Sequence, residues 1–237
     1  MRGNIVQLNH GTPTGYGVLC DASAGRGGTW SQDGVILFSP GSIGSLQRVS
    51  AAGGVATPIT KTSGSHRYPH FLPDGRHFLY LAREAPETAG ISLGSLDGAP
   101  PIRLLPDDSD GVYAARMNAG SSTGPPGYIL FVRQTTLMAL PFDPVSLTAR
   151  DDVFPLAEQV YTISGTGFGQ FTVSTNGTLA YGNVLQAYRE FLWRDRAGKQ
   201  IGARFAAGDW PDFRLSRDEQ RIVVSQVESG NQDIWIR

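Results

Sequence analysis

The 237-residue sequence has little of what marks several large classes of protein. Its only cysteine, Cys20, excludes an internal disulfide, and a lone thiol is typical of ordinary packed structure. No stretch approaches the 18 consecutive apolar residues of a membrane-spanning helix. Lys and Arg number 20 against 21 for Asp and Glu, so the basic excess of a nucleic-acid-binding protein is lacking. The first ten residues have no charged and long apolar regions, which predicts no signal peptide.

Turn-forming residues are what the sequence does contain. There are 30 glycines and 15 prolines, about 19% of the chain against roughly 12% in average proteins. This excess is too small for a collagen-like or disordered chain, and no helical period of any length accompanies it. The composition favours a fold of many short strands joined by tight turns.

One pattern recurs five times: an aromatic or apolar pair, a polar turn with Asp-Gly or a relative, and then an apolar strand. The clearest copies are Trp30–Phe38 and Phe71–Leu81, a degenerate copy lies at 125–132, and two further copies lie at 171–181 and 213–224. Successive turns, counted from Gly34, follow at intervals of 41, 52, 50 and 42 residues. Asp-Gly and Asn-Gly supply the positive φ that tight hairpins need. Four-stranded propeller blades repeat at about this interval.

The repeat predicts an all-β fold, a β-propeller of four-stranded antiparallel blades. Residues 1–15 are expected to form an N-terminal extension and residues 16–237 the propeller, with blades starting near 28, 69, 117, 169 and 210. A strand at Tyr16–Asp21 precedes the first complete blade, and Ile234–Ile236 ends the last one. Two interpretations stay open: this strand closes a five-bladed ring, or the chain is an arc of a larger propeller.

The turns and the Asp233-Ile234-Trp235 strand resemble the WD-repeat-like blades of TolB-type propellers over nearly the whole chain. Four stretches are similar to bacterial propellers that follow the kinase domain in acidobacterial-type serine/threonine protein kinases: Leu19–Ala22, Gly25–Trp30, Val49–Gly54 and Pro69–Tyr80. That resemblance implies a sensory or interaction domain in a periplasmic or other extracytoplasmic location. The kinase motifs themselves are missing, because there is no Gly-rich nucleotide loop, His-Arg-Asp loop or Asp-Phe-Gly.

Three motifs that suggest chemistry have simpler explanations. Gly120–Gly124 matches a nucleophile elbow, but Pro125 and Pro126 prevent the helix that an elbow requires. His66, His70 and His77 are spaced like metal ligands only in a helix, which Pro69 and the strand pattern exclude. Gly165–Gly169 lacks the lysine of a phosphate loop. The sequence therefore predicts no catalytic residues, no metal and no cofactor.

The loops that lead from one blade into the next are the better candidates for a binding site. In closed β architectures such loops gather at one mouth of the channel, where ligands commonly bind. Each combines glycine with an aromatic residue, and the predicted ligand-binding residues are His66, Arg67, Tyr68, Asp110, Tyr113, Phe168, Asp209 and Trp210. The alternative is that these aromatic rings only fill the channel.

Three functions follow from this interpretation. The leading hypothesis is a non-catalytic binding or sensor module, the extracytoplasmic interaction domain of a larger receptor-kinase-type protein. Its partner would be a protein, a peptide or a small ligand at the rim or channel mouth, with no nucleic acid, and a kinase domain would belong to a longer parent chain. The second is a purely structural scaffold fragment. The third is a propeller enzyme, which requires polar residues on the inner strands, where Trp30, Phe71, Phe171 and Phe213 lie instead.

Overall fold

The computed structural model describes residues 4–8, 16–22, 24–116, 124–150, 152–163, 165–174, 176–183, 192, 199–201, 212–216, 222–228 and 231–236. Every regular element in these residues is a β-strand, which confirms the all-β prediction. These residues accordingly include no helix of the length and hydropathy that a membrane span needs.

The strands divide between two compact units, Met1–Gly111 and Val112–Arg237. The first unit contains β1 Asn4–Leu8, β2 Tyr16–Asp21, β3 Gly28–Trp30, β4 Val35–Phe38, β5 Gln47–Ser50, β6 Thr57–Pro58, β7 Ser65–Phe71, β8 His77–Arg83, β9 Gly90–Ser95 and β10 Ile102–Leu105. The second contains β11 Val112–Ala115, β12 Gly127–Arg133, β13 Thr136–Asp143, β14 Thr148–Ala149, β15 Phe154–Ala157, β16 Thr162–Ile163, β17 Phe168–Gly169, β18 Phe171–Val173, β19 Leu179–Tyr181, β20 Asp212–Leu215, β21 Ile222–Glu228 and β22 Asn231–Ile236.

Two four-stranded antiparallel sheets form most of the first unit. Strands β3 to β6 make the first sheet and β7 to β10 the second, each with neighbours in chain order. These sheets confirm the predicted four-stranded repeat. The strand at Tyr16–Asp21, expected to belong to a blade, pairs with Asn4–Leu8, which is a part of the expected extension. Ile5 and Val6 of that added strand are β-branched residue types, which favour strands.

The predicted turns have the expected geometry. Gly34, Gly75 and Gly177 have φ values of 77°, 66° and 82°, which an L-residue with a side chain rarely adopts. In the first sheet the Ser31 amide donates to the Val35 carbonyl at 2.8 Å. The Ser31 hydroxyl in turn accepts from the Val35 amide at 3.1 Å. The same pair of bonds joins residues 174 and 178 in the second unit, at 2.9 Å each.

The core of the first unit lies between its two sheets. Its buried members come from both of them: Leu37, Leu46, Phe71, Phe78, Tyr80 and Ala82. Phe78 is fully buried, and its ring meets the Phe71 ring edge-on at 6.3 Å. Gly94 on the neighbouring strand makes room for it, since a Cβ there would lie 2.7 Å from the Phe78 ring. Strand β3 lies beside β7, so the first strands of the two sheets are neighbours.

The second unit is built around a larger sheet. Strands β11, β12 and β13 follow in order, and β14 and β15 both pair with β13. Pro155 lies in β15, where its missing amide suits an edge strand and discourages further pairing. Phe171, from β18, packs in a core with residues of this sheet.

Candidate functional site

The segment that contains His66, Arg67 and Tyr68, predicted to be a loop between blades, is largely strand. Ser65, His66 and Arg67 belong to β7 and pair with Arg83, Ala82 and Leu81 of β8. The loop prediction was wrong because Pro69 masks the strand pattern, and the structure shows an irregular register between Arg67 and His70. Bulges of this kind occur beside functional sites, where they redirect a side chain.

Tyr68 lies in this bulge with a left-handed backbone. Its φ is 51°, which is unfavourable for a residue with a bulky side chain. The Tyr68 amide donates to the Arg26 carbonyl at 2.7 Å. Gly27 permits this approach, because a Cβ at that position would lie 3.0 Å from both Cα and Cδ1 of Tyr68. The segment around Arg26 and the β7 bulge are therefore held together directly.

Arg67 is a charged residue with only 9% of its surface exposed. Its Nε donates to Ser65 Oγ at 2.6 Å and its Nη2 to the Ser42 carbonyl at 2.7 Å. Burial lowers the pKa of Arg67, and the charges of Arg83 and Arg26 act in the same direction. Arg67 thus lies in surroundings that disfavour its positive charge.

Arg83 and Asp108 form an ion pair at the edge of this region. The Arg83 guanidinium donates from Nε to Asp108 Oδ1 at 2.9 Å and from Nη2 to Oδ2 at 3.0 Å. Asp108 raises the pKa of Arg67, but this is a smaller effect than that of either neighbouring arginine. We call Arg26, Arg67 and Arg83 the arginine cluster, with Asp108 as its carboxylate.

Arg26 differs from the other two members of the cluster. Its Nη1 donates to the carbonyls of Ala24 and Gly25, both at 3.1 Å. Its Nε is buried and has no hydrogen-bond partner among the described residues. A buried donor without an acceptor is destabilising. The arginine cluster therefore includes a donor that an added acceptor would satisfy.

His66 has a different environment from its neighbour Arg67. Its Nδ1 lies 2.8 Å from Thr60 Oγ1 and its Nε2 lies 3.1 Å from Glu84 Oε1. The Thr60 oxygen also accepts from the Leu46 amide, so a neutral His66 fits if the Thr60 hydroxyl donates to Nδ1 and Nε2–H donates to Glu84. The imidazole packs on the Tyr80 ring at 4.6 Å. Burial lowers the pKa of His66 and outweighs the opposing effect of Glu84.

This lowered pKa predicts an acid-sensitive fold. In the unfolded chain His66 takes up a proton near its ordinary pKa of 6.5, whereas in the folded chain it does so only at lower pH. Stability is therefore lost as the pH falls below that value. We expect the melting temperature to be lower at about pH 5.5 than at about pH 7.5, and the difference to be smaller in His66→Gln. An unchanged difference in His66→Gln would contradict this origin.

The remaining predicted site residues are buried or lie outside the described residues. Asp110 is 3% exposed and its carboxylate lies 3.4 Å from the Ser109 hydroxyl. In the second unit, Tyr113 packs on Phe142 and covers Gly127, where a Cβ would lie 2.3 Å from the Tyr113 hydroxyl oxygen. Phe168 is buried with the Arg214 guanidinium 5.5 Å from its ring centre. Asp209 and Trp210 lie outside the described residues.

Sequence reasoning brought together His66, Arg67 and Tyr68 but missed Arg26, Arg83 and Asp108. The three missed residues are far apart in the chain, and only the pairing of strands places them around β7. A weak signal existed in Gly25-Arg26-Gly27-Gly28, where glycines permit close approach of a backbone that carries a cation. Within the described ranges, no group of three or more His, Cys, Asp or Glu could hold a metal ion.

Comparison with solved structures identifies the architecture. TolB from Acinetobacter baumannii superposes with a TM-score of 0.64 at 14% identity, covering 94% of this chain and 54% of the TolB chain. A chain of the nidogen/laminin complex gives 0.53 at 14% identity, covering 97% of this chain and 88% of its own. The β-propeller domain of Cps50 (Swd1) from Myceliophteria thermophila gives 0.52 at 12% identity, covering 85% and 63%. The fold is a β-propeller.

The fold is similar to that of TolB, and this chain spans about half the length of the TolB chain that it matches. Neither a protein-family model nor a curated protein matches the sequence. At these identities the similarity establishes the fold alone, and propellers with one fold have many functions. The function must therefore be argued from the residues of the site.

Proposed function

We propose that this propeller is a non-catalytic binding module whose ligand contacts Tyr68 and the arginine cluster. The observation that carries the proposal is the left-handed conformation of Tyr68 in a bulge beside these cations. Backbone strain of this kind costs on the order of 1–3 kcal/mol and is concentrated at ligand-binding sites. The half-buried Tyr68 ring and the 29%-exposed Arg83 side chain leave the site accessible from solvent.

The setting that we propose is the extracytoplasmic interaction domain of a larger receptor-kinase-type protein. Its support is the sequence similarity of Gly25–Trp30 and Pro69–Tyr80 to kinase-associated propellers. One matched propeller chain comes from a complex between nidogen and laminin, which favours a protein or peptide as the partner. The gene that encodes the chain tests the setting: a kinase domain and a membrane span upstream in the same reading frame would support it, and their absence would contradict it.

A structural scaffold is the second candidate, and the burial of the predicted site residues favours it. His66, Asp110, Tyr113 and Phe168 are each less than one-tenth exposed. Residues with this degree of burial stabilise the fold more readily than they contact a ligand. The two candidates differ in what Tyr68 does, because a scaffold needs its ring for packing and a binding module needs it for the ligand.

The variant Tyr68→Gly separates the two candidates. Glycine adopts positive φ without strain, so a binding module should keep or raise its melting temperature while losing the ligand. The ligand would be found by a thermal-shift screen of peptides and small molecules on the wild-type propeller. A scaffold would instead lose stability in Tyr68→Gly and give no saturable ligand in the screen.

The non-catalytic part of the proposal has its own test. A bound ligand should be recovered chemically unchanged after prolonged incubation, as judged by mass spectrometry. ATP should not transfer phosphate, since the sequence has none of the motifs that position metal-bound phosphates. Conversion of the ligand, or phosphotransfer by homogeneous protein, would contradict a pure binding role.

A further inference from the structure

We infer that the arginine cluster binds an oxyanion group, a carboxylate or a phosphate, carried by the ligand of the proposed module. This inference rests on the proposed function and specifies its ligand chemistry. Guanidinium groups present planar pairs of N–H donors that match the oxygens of carboxylate and phosphate.

The positive charge of the cluster is the first support. Arg67 is nearly buried, and its guanidinium donates to Ser65 Oγ and to the Ser42 carbonyl. The charges of Arg83 and Arg26 disfavour the protonated form of Arg67 and so lower its pKa, whereas Tyr68 and, to a smaller extent, Asp108 raise it. An anion in contact with these groups would relieve their mutual repulsion.

The second support is independent of charge. Arg26 Nε is a buried donor with no acceptor among the described residues. The Arg26 carbonyl accepts a hydrogen bond from the Tyr68 amide. The residue with the unsatisfied donor is therefore bonded directly to the residue with the strained backbone. An oxyanion beside Arg26 would supply the acceptor that this donor lacks.

Asp108 supplies the third support, because it shows how the cluster receives a carboxylate. Its two oxygens accept from Nε and Nη2 of Arg83 in a bidentate arrangement. Its side chain is 55% exposed, so it is held at the surface and can be displaced. We infer that Asp108 competes with the ligand for Arg83, which makes it a residue whose removal should improve binding.

The test measures binding of inorganic phosphate and of succinate separately by isothermal titration calorimetry, at constant ionic strength against sodium chloride. We expect at least one anion to bind the wild-type propeller, and the better one identifies the class of oxyanion. Arg26→Gln should weaken its binding by about tenfold or more, and Asp108→Asn should tighten it several-fold. Arg103→Gln is the matched control, since Arg103 of β10 also donates to backbone carbonyls, those of Glu87 and Pro86.

Opposite effects of the Arg26 and Asp108 substitutions would support the inference, because general unfolding would weaken binding in both variants. Weaker or unchanged binding in Asp108→Asn, with an intact β spectrum, would overturn it. Equal losses in Arg103→Gln and Arg26→Gln would also overturn it, since they would indicate non-specific charge attraction. If neither anion binds while the screen yields an uncharged ligand that Tyr68→Gly abolishes, the oxyanion inference fails and the binding module stands.

Discussion

Replacing Phe78 with alanine is expected to destabilise the protein by about 3–5 kcal/mol, measured as the free energy of unfolding in urea. The ring is fully buried between the two sheets of the first unit and contacts the rings of Phe71 and Tyr80. Gly94 faces it on the next strand and offers no side chain to fill the space. The cavity left by the ring would therefore persist, and its cost adds to the lost burial of apolar surface.

The control for Phe78→Ala is Ile102→Ala in the same sheet. Ile102 is 50% exposed on the outer strand β10, so its truncation should cost less than about 1 kcal/mol. Equal losses for the two variants would show that the space between the sheets is not the core of the unit. A loss in Phe78→Ala that is confined to one of two unfolding transitions would show that the two units unfold separately.

The elements that sequence predicted well are those determined by neighbouring residues. Ser31 and Gly34 need only each other and Val35 to make the first turn, and Ser174 with Gly177 repeats it in the second unit. The apolar runs that follow such turns are central strands, such as Val35–Phe38 and His77–Arg83, because their side chains are buried on both faces. Local chemistry is enough to place these elements.

The candidate site depends on contacts that no local pattern carries. Arg26, Arg67, Arg83 and Asp108 come from four separate segments, and their cluster exists only after β3, β7 and β8 have been placed. Tyr113 illustrates the reverse case, because its position in a loop-like Asp-Gly-Val-Tyr sequence predicted a ligand-binding residue. The structure places it over Gly127, where the absence of a side chain provides room for the ring. Sequence alone shows the glycine and the tyrosine but not their contact.

Gly64→Ala should lower both the stability of the fold and the affinity of the arginine cluster for an oxyanion. A Cβ at Gly64 would lie 2.2 Å from the carbonyl oxygen of Arg83 and 3.3 Å from Cα of Glu84. The φ of Gly64 lies outside the left-handed range, so alanine is allowed there by its own backbone and the clash is purely steric. Because the atom it meets belongs to backbone, the strands must separate, and we expect a loss of about 3 kcal/mol.

The clash at Gly64 should also change the position of residues in the arginine cluster. Separation at Gly64 displaces Arg83 from the arginine cluster and Glu84 from His66, so oxyanion binding should weaken together with stability. Gly41→Ala is the matched control, because a Cβ at Gly41 comes no closer than 3.6 Å to its neighbours, at the Ile43 carbonyl oxygen. This is ordinary contact, and the substitution should change stability by less than about 0.5 kcal/mol. Chemical denaturation gives the stability loss, and calorimetry at a temperature where the variant stays folded gives the binding loss. Stability and binding equal to those of Gly41→Ala would mean that the end of β8 can yield without moving Arg83, and that β7 and β8 do not position the cluster as a unit.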